Sequence, residues 1–242
     1  MGAVSDAAPG ADDAAHQPEV QAAPGADRVF DCADADQLEA GLAAATKALQ
    51  DARLAVLPTD TVYGVGADAF DPAAVRRMLR AKGRGRTMPS PVLVAAASTL
   101  DALAAGLPAY ARDMVDELWP GPLTLVCTQQ PSLTWDLGDA RSTVAVRMPD
   151  HPVATELLSR TGPLAVSSAN RSGQAAATTI ERAVQMLGER VQVYLDAGPS
   201  SGGSASTILD VTGPRGRVLR QGAMPLERLR EFDTRIAAAE AT

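Results

Sequence analysis

The chain contains few cysteine, histidine and aromatic residues. Its 242 residues include two cysteines, Cys32 and Cys127, and two histidines, His16 and His151. The cysteines match no metal or redox spacing, which suits a reducing compartment, where a free thiol behaves as a small apolar side chain. So few imidazoles and thiols argue against a zinc site or a histidine dyad. With aromatic residues at 3%, the core must be built from Ala, Val, Leu and Ile.

The sequence also lacks a long apolar run and a signal peptide. No segment is apolar over the roughly 20 residues that span a bilayer. The amino terminus has neither a basic start nor a continuous apolar centre. Its Ala, Pro, Gly and Asp content predicts a disordered tail over residues 1–28. The sequence therefore predicts a cytoplasmic protein with no membrane partner, and its net charge of −7 argues against nucleic acid as a dominant partner.

Apolar periodicity and turn residues predict an α+β fold over residues 29–242. Strands and helices alternate, yet some strands are consecutive, so a twisted, mixed sheet of about seven strands flanked by helices is expected. The clearest helix is "DPAAVRRMLRAKG", with Asp71 as its N-cap and Gly83 at its end. A carboxy-terminal helix is predicted from Pro225 to about Glu240. Residues 29–242 are interpreted as a single domain, with no additional carboxy-terminal domain.

A cluster of cations interrupts this acidic sequence. Within eleven residues lie Arg76, Arg77, Arg80, Lys82, Arg84 and Arg86. Cations in the last turn favour the helix dipole, which explains Arg80 and Lys82 but not the two beyond the helix end. No aromatic residue lies among them to stack on bases. A ligand polyphosphate is therefore favoured, and nucleic acid stays the alternative.

Three further loops combine polar and small residues. "PTDTVYGVG" offers Thr61 and two glycines that let a ligand approach the backbone, although a turn between strands explains it equally. "AVSSANRSG" delivers Ser168 and Asn170 at the end of a buried strand, or else forms a turn that bonds its own backbone. "GPSSGGSAST" forms either a nest of backbone N–H groups or a flexible connection. It lacks the Gly-Lys-Ser/Thr ending of a P-loop.

Two arginines, Arg147 and Arg220, each fall at the end of a predicted strand. The Arg147 fork suits a carboxylate, while an exposed cation at a sheet edge is the plain alternative for both. Taken together, several strand ends present hydroxyls, an amide and cations, with no nucleophile–base pair. Such a set holds anionic substrates and stabilises charge, rather than forming a covalent intermediate.

These residues together resemble the YrdC/TsaC family, the threonylcarbamoyl-AMP synthases. The matching pieces, in the family's order over residues 54–223, are "PTDTVYGVGADAFD", "AKGRGR", "PSPVLV", "WPGPLTLV", "STVAVRMPDHP", "SSANRSG" and "ASTILDVTG". The resemblance implies a YrdC-like fold and an enzyme that joins L-threonine, bicarbonate and ATP into threonylcarbamoyl-adenylate and pyrophosphate. Mg²⁺ is expected with ATP, without dedicated protein ligands. Downstream enzymes would transfer the threonylcarbamoyl group to tRNA, and direct contact of this chain with tRNA is left open.

The resemblance also implies a set of site residues. The family's catalytic Lys-x-Arg and Ser-x-Asn signatures fall on Lys82, Arg84, Ser168 and Asn170. Its L-threonine contacts map to Thr61, Arg147, Ser206 and the backbone of Val166. Its nucleotide contacts map to Arg84, Ser90, Thr143, Ser168, Ala176 and Arg220. No metal ligand is predicted.

This sequence departs from the family pattern in places. Some family members carry Asn and His where this chain has Ser90 and Ala95, and the loop after Arg84 is longer here. Longer members close the site with an additional domain; here the amino-terminal tail or the loop Gly198–Ser204 would serve as a lid. Two other functions stay open. They are a non-catalytic RNA-binding module, and carbamoyl transfer as in larger maturation proteins that contain a related domain.

Overall fold

The computed structural model describes Met1 and residues 28–239, so the tail predicted over 1–28 lies almost wholly outside the described residues. The strands are β1 Val29–Asp31, β2 Ala55–Leu57, β3 Gly64–Asp68, β4 Val92–Leu93, β5 Ala104–Ala105, β6 Leu123–Gln129, β7 Thr143–Arg147, β8 Leu164–Ser168, β9 Val193–Asp196, β10 Thr207–Asp210 and β11 Arg217–Arg220. The helices are α1 Ala35–Gln50, α2 Pro72–Lys82, α3 Leu100–Leu103, α4 Ala109–Leu118, α5 Pro152–Thr161, α6 Ile180–Leu187 and α7 Leu226–Arg230. Short 3₁₀ turns lie at Ala97–Thr99 and Gly188–Arg190.

The strands of the described residues form one mixed sheet, which confirms the predicted α+β class. Its order is β1-β9-β2-β3-β8-β4-β7-β6-β10-β11, with β5 paired to β6. The pairs β1–β9, β2–β9, β4–β7 and β6–β10 are parallel, and the other pairs are antiparallel.

The sheet has eleven strands in the described part of the chain, where about seven were predicted. Strands β1, β3 and β5 account for most of the difference. β1 and β5 have three and two residues, too few to show a period of two. β3 contains Gly64 and Gly66, and glycine lowers the strand signal of any segment.

Side-chain alternation along the strands builds a core on each face of the sheet. In β2, Val56 packs into the larger core, whereas Ala55 and Leu57 pack into the smaller one. α1 and α5 cover the smaller core, for example with Leu49 and Leu157. α2, α4 and α6 contribute to the larger core. Each strand face thus buries apolar surface, which is the main source of folding free energy.

The helix α2 forms as the sequence predicts. Asp71 Oδ1 accepts hydrogen bonds from the N–H groups of Ala73 and Ala74, at 2.7 and 3.3 Å. At the other end, Gly83 adopts a φ of 62°, the left-handed conformation in which glycine closes a helix. Since both ends are fixed, the residues that follow Lys82 begin from a defined position.

The predicted carboxy-terminal helix is wrong beyond its first turns. α7 ends at Arg230 rather than near Glu240. The chain turns at Asp233, whose Oδ1 accepts the N–H of Arg235 at 2.9 Å, and such local side-chain bonds compete with helix continuation. None of the helices in the described residues combines the length and apolarity needed to cross a bilayer.

Candidate active site

Arg147, Thr143 and Thr124 lie on the face of the sheet that carries the smaller core. In β7, Val144 and Val146 face the larger core, so Thr143 and Arg147 face the opposite side. In β6, Leu123 and Leu125 likewise face the larger core, which turns Thr124 toward the same side as Arg147. Polar side chains thus occupy positions that would otherwise continue an apolar layer.

Arg147 is buried at the end of β7 and held by three acceptors. Its Nε donates to the carbonyl of Gly121 at 2.9 Å, its Nη1 to Thr61 Oγ1 at 3.0 Å, and its Nη2 to Asp60 Oδ1 at 2.5 Å. A guanidinium has five N–H donors, so two remain. Burial lowers the pKa of Arg147, while Asp60 acts in the opposite direction. Two spare donors in a fixed orientation suit a carboxylate.

Lys82 ends α2 and points inward rather than into an exposed loop. It is 2% exposed. Its Nζ donates to the carbonyl of Ser168, to the carbonyl of Asn170 at 2.7 Å, and to Asn170 Oδ1 at 3.3 Å. These acceptors occupy the three donors of an ammonium group. Burial, and secondly Arg84, lower the pKa of Lys82 to about 8. The lysine therefore fixes the end of β8.

Arg84 is half-buried and Arg220 is exposed, and the two bind different strand ends. Arg84 Nη1 donates to Ser167 Oγ at 2.9 Å, and its Nε is buried without a partner among the described residues. Arg220 Nη2 donates to the carbonyl of Ser206 at 2.8 Å. Ser206 Oγ is in turn 2.8 Å from Thr124 Oγ1. Both arginines keep donors for a further acceptor.

Four cations from α2, β7, β11 and the loop after α2 form a chain in which each lies within electrostatic reach of the next, in the order Lys82, Arg84, Arg220, Arg147. Arg84 contributes to lowering the pKa of Lys82 and of Arg220, and Arg220 contributes to lowering that of Arg147, with burial the larger cause each time. Within the described residues, the hydrogen bonds of these four reach one carboxylate, that of Asp60. Like charges at short range repel, so a bound polyanion would relieve the repulsion among these four cations.

The remaining cations of the basic stretch do not share this site. Arg86 pairs with Asp136 at 2.7 Å and with Asp139 at 3.4 Å. Arg76 approaches Asp136 at 3.7 Å. The concentrated positive loop expected from the sequence is therefore divided. Lys82 and Arg84 point to the end of β8, whereas Arg76 and Arg86 bind carboxylates in the segment before β7.

Two glycines near Thr61 are explained by packing against protein atoms. A Cβ on Gly64 would lie 2.6 Å from Val166 Cγ1, so this glycine admits a neighbouring strand rather than a ligand. A Cβ on Gly202 would lie 2.4 Å from the carbonyl oxygen of Asp60. Ser200 Oγ donates to the carbonyl of Thr61 at 2.5 Å. The loop Gly198–Ser204 is therefore seated directly on Asp60 and Thr61.

Two of the predicted nucleotide contacts lie at the far end of β7. Thr143 begins this strand and Arg147 ends it, about 13 Å away at about 3.3 Å per residue. Ser90 is buried, and its N–H donates to the carbonyl of Leu137 at 3.3 Å. A cavity of about 220 Å³ lies there, lined by Gln129, Trp135, Leu137, Gly138, Ala140, Arg141 and Ser142. Thr143 directly follows the lining residue Ser142, and Ser90 bonds to the lining residue Leu137, but neither of the two lines the cavity itself.

The two predicted backbone contacts lie in and after β8. Val166 is buried inside β8, and its N–H donates to the carbonyl of Pro91 at 2.8 Å. Ala176 is half-exposed in the loop after β8. Its neighbour Ala177 accepts the N–H of Tyr63 at 3.0 Å, which holds this loop beside β3.

Asp60 and Ser167 belong to the cluster, although the sequence pattern does not mark them as site residues. Both stand next to selected ones, so the sequence signal was adjacency alone. The partner of Asp60 is Arg147, 87 positions later in the chain, and no motif spacing links two such distant residues. Ser167 alternates with Ser168 along β8, and only its contact with Arg84 distinguishes it.

The donor set does not form a metal site. Magnesium prefers oxygen ligands, chiefly carboxylates, whereas the side chains here are cations, hydroxyls and an amide. The carboxylate of Asp60 is engaged with Arg147. Among the described residues, no group of three or more His, Cys, Asp or Glu side chains is placed to hold a metal ion.

Comparison with known proteins finds relatives over most of the chain. The sequence model of the Sua5/YciO/YrdC family, described as telomere recombination, matches residues 47–222. A putative threonylcarbamoyl-AMP synthase of Mycobacterium leprae is 56% identical over 203 residues, which are 84% of this chain and 92% of the relative. The threonylcarbamoyl-AMP synthase of Pyrococcus abyssi is 35% identical over 75% of this chain and 54% of its own length.

Solved structures share the fold. The crystal structure of P. abyssi Sua5 complexed with L-threonine superposes with a TM-score of 0.81 at 31% identity. That superposition covers 87% of this chain and 62% of the Sua5 chain, so this chain spans about three fifths of the archaeal protein. E. coli YciO, at 20% identity and a TM-score of 0.73, supports the fold alone.

Proposed function

The chain belongs to the Sua5/YciO/YrdC family, and from that premise we propose that it is a threonylcarbamoyl-AMP synthase. It would join L-threonine, bicarbonate and ATP into threonylcarbamoyl-adenylate, with release of pyrophosphate. The observation that carries the proposal is the convergence of Arg84, Arg147 and Arg220 beside Thr61 and the end of β8. Such an arrangement holds two anionic substrates in one place.

The amino-acid substrate would bind at Arg147. Its two spare N–H donors would take the carboxylate, and Thr61 Oγ1, which accepts another N–H of Arg147, would fix the orientation. Ser206 Oγ and the backbone of Val166 would complete this part of the site. The L-threonine in the P. abyssi Sua5 complex supports this choice of amino acid.

The nucleotide would lie over Arg84 and Arg220 and extend toward the start of β7. Arg84 and Arg220 would contact the phosphates, with Ser168 and Ala176 beside them. Ser90 and Thr143 lie next to the cavity at the start of β7, where the base would sit. Mg²⁺ would arrive with ATP, and no protein ligand is assigned to it.

Lys82 and Asn170 would act on the site through position. Lys82 holds two carbonyls at the end of β8, and Asn170 Nδ2 donates to the carbonyl of Gln174 at 2.7 Å. Together they fix Ser168 and the loop that carries Ala176. This assigns Lys82 a supporting role in the geometry described, since its donors are already taken.

The reaction would need no side-chain nucleophile. The amine of threonine and bicarbonate form a carbamate with loss of water. A carbamate oxygen then attacks the α-phosphorus while the bond to pyrophosphate breaks. Arg84 and Arg220 would stabilise charge on the phosphates, and Arg147 would hold the carboxylate of threonine in position. Positioning and preorganised charge supply large rate effects in such sites. We place this reaction in the cytoplasm, with the adenylate passed to enzymes that modify tRNA.

Threonine-dependent release of pyrophosphate tests the proposal. With ATP, Mg²⁺ and labelled bicarbonate, pyrophosphate and a product of the adenylate's mass should appear only when L-threonine is present. Arg84→Ala should lower the rate at least about tenfold. The matched control is Arg80→Ala, which removes an exposed arginine of the same basic stretch, in α2, and should leave the rate unchanged. Pyrophosphate release that ignores threonine, or salt-sensitive tRNA binding without any release, would refute the proposal.

A further inference from the structure

Asp60 is a charged residue of the site to which the proposed reaction gives no role. Its Oδ1 accepts two hydrogen bonds, from Arg147 Nη2 at 2.5 Å and from the backbone N–H of Asp150 at 3.0 Å. The side chains of Asp60 and Arg147 are 14% and 7% exposed. The pair is therefore nearly enclosed, and solvent screens its charges only weakly.

A carboxylate bound to this arginine changes what the arginine attracts. Arg147 alone would attract any anion of the right shape. Arg147 and Asp60 together carry almost no net charge, while Arg147 keeps two free N–H donors. A substrate carboxylate still finds hydrogen bonds there, while its negative charge is repelled by Asp60.

A zwitterion avoids this repulsion because it carries its own positive charge. The ammonium group of an amino acid lies two bonds from the carboxylate carbon, so it stays within several ångströms of Asp60 when the carboxylate binds Arg147. Opposite charges at 4–6 Å in a partly buried site attract appreciably. The nearby His151 is half-buried, and burial lowers its pKa, while Asp60 and Asp150 act in the opposite direction.

We propose that Asp60 determines specificity in this site, making it select a zwitterionic amino acid over an anionic hydroxy acid of the same shape. The inference rests on the proposed function, since it assigns the amino-acid end of that site. Selection takes place in the binding complex, before bicarbonate reacts. It acts through charge and through the orientation of Arg147, without requiring direct contact between Asp60 and the substrate.

Calorimetric titration with two ligands tests the proposal. The ligands are L-threonine and the analogue in which its amino group is replaced by a hydroxyl group, titrated without ATP or bicarbonate. Wild-type protein should bind L-threonine at least about tenfold more tightly than the analogue. In Asp60→Asn, which keeps an acceptor oxygen but no charge, this preference should fall toward one. The affinity for ATP should stay within about twofold of wild type, since ATP binds the other cations.

Two further variants keep the test decisive. Asp60→Glu preserves the charge and should preserve most of the preference for L-threonine. This variant keeps the proposal testable if Asp60→Asn fails to fold. Asp101→Asn is the matched control, because Asp101 pairs with Arg112 on an exposed surface at 2.9 Å. It should leave both affinities unchanged.

The outcomes separate this inference from the proposed function. If Asp60→Asn weakens both ligands equally, Asp60 only orients Arg147 and the proposed selectivity is wrong. Equal binding of the two ligands by the wild type, or loss of the preference in Asp60→Glu, overturns it as well. Wild-type protein that binds neither ligand, with or without ATP, would refute the proposed function itself.

Discussion

Substitution of Gly202 tests whether the loop Gly198–Ser204 forms part of the amino-acid site. An alanine Cβ at this position would lie 2.4 Å from the carbonyl oxygen of Asp60 and 2.8 Å from Thr61 Cα. Both are backbone atoms, so no side chain can rotate away. To bring the first distance to 3.0 Å, the loop must move by at least 3.0 − 2.4 = 0.6 Å. That movement strains the hydrogen bond between Ser200 and Thr61.

We expect Gly202→Ala to lower kcat/KM for L-threonine about 10- to 100-fold, because misplacement by about 1 Å has effects of that size in active sites. The free energy of unfolding should change by less than about 1 kcal/mol, since the loop contributes little to the core. The assay is the initial rate of pyrophosphate release against L-threonine at saturating ATP, with chemical denaturation for stability.

Gly203 supplies the matched control in the same loop. It has a φ of 61°, and a Cβ there would meet nothing within 4 Å. Gly203→Ala should cost about 1 kcal/mol of backbone strain and leave kcat/KM unchanged. A wild-type kcat/KM in Gly202→Ala, or an equal loss in both variants, would refute the view that this loop shapes the site through its contact with Asp60 and Thr61.

Three further predictions concern stability. Burial raises the pKa of the Cys127 thiol from 9.0 to about 12, so its contribution is complete below pH 9 and is lost as the pH rises toward 12. Roughly 1 kcal/mol of the free energy of unfolding should be lost by pH 10, and Cys127→Ala should remove that part of the alkaline decline in denaturation experiments. Gly64→Ala should destabilise by about 1–3 kcal/mol through overpacking against Val166, and Val166→Ala should restore part of this in thermal unfolding; additive losses would contradict the contact. Asp71→Ala should cost about 1 kcal/mol by removing the cap of α2, measured by urea denaturation, whereas an unchanged midpoint would exclude the capping role.

The sequence predicts those elements whose signals are local. α2 forms between Asp71 and Gly83 as expected, because a cap and a left-handed glycine act within a few residues. β3 was missed because its two glycines reflect a contact with Val166 on another strand, which no local pattern reveals. The carboxy-terminal helix was extended too far because helical periodicity continued past the turn at Asp233.

The candidate site shows the same division. Strand ends with polar residues were visible in the sequence, and the structure brings most of them together. The direction of Lys82 was not visible, because the same charge at a helix end suits either an exposed phosphate contact or an inward bond to β8. The role of Asp60 follows from its hydrogen bond with Arg147, which the sequence does not predict. Pairing across many positions depends on the sheet order rather than on spacing.

The order of the strands also has a consequence for how the protein is made. Arg147 binds residues encoded well before it, whereas Ser206 directly precedes β10 and Arg220 ends β11. β10 enters the sheet beside β6. During translation, Thr61 and Arg147, the main contacts proposed for the amino acid, therefore emerge from the ribosome well before Arg220, the last contact proposed for the phosphates. Contacts between distant positions also form slowly. We expect a nascent chain to acquire ATP affinity only near the end of its synthesis.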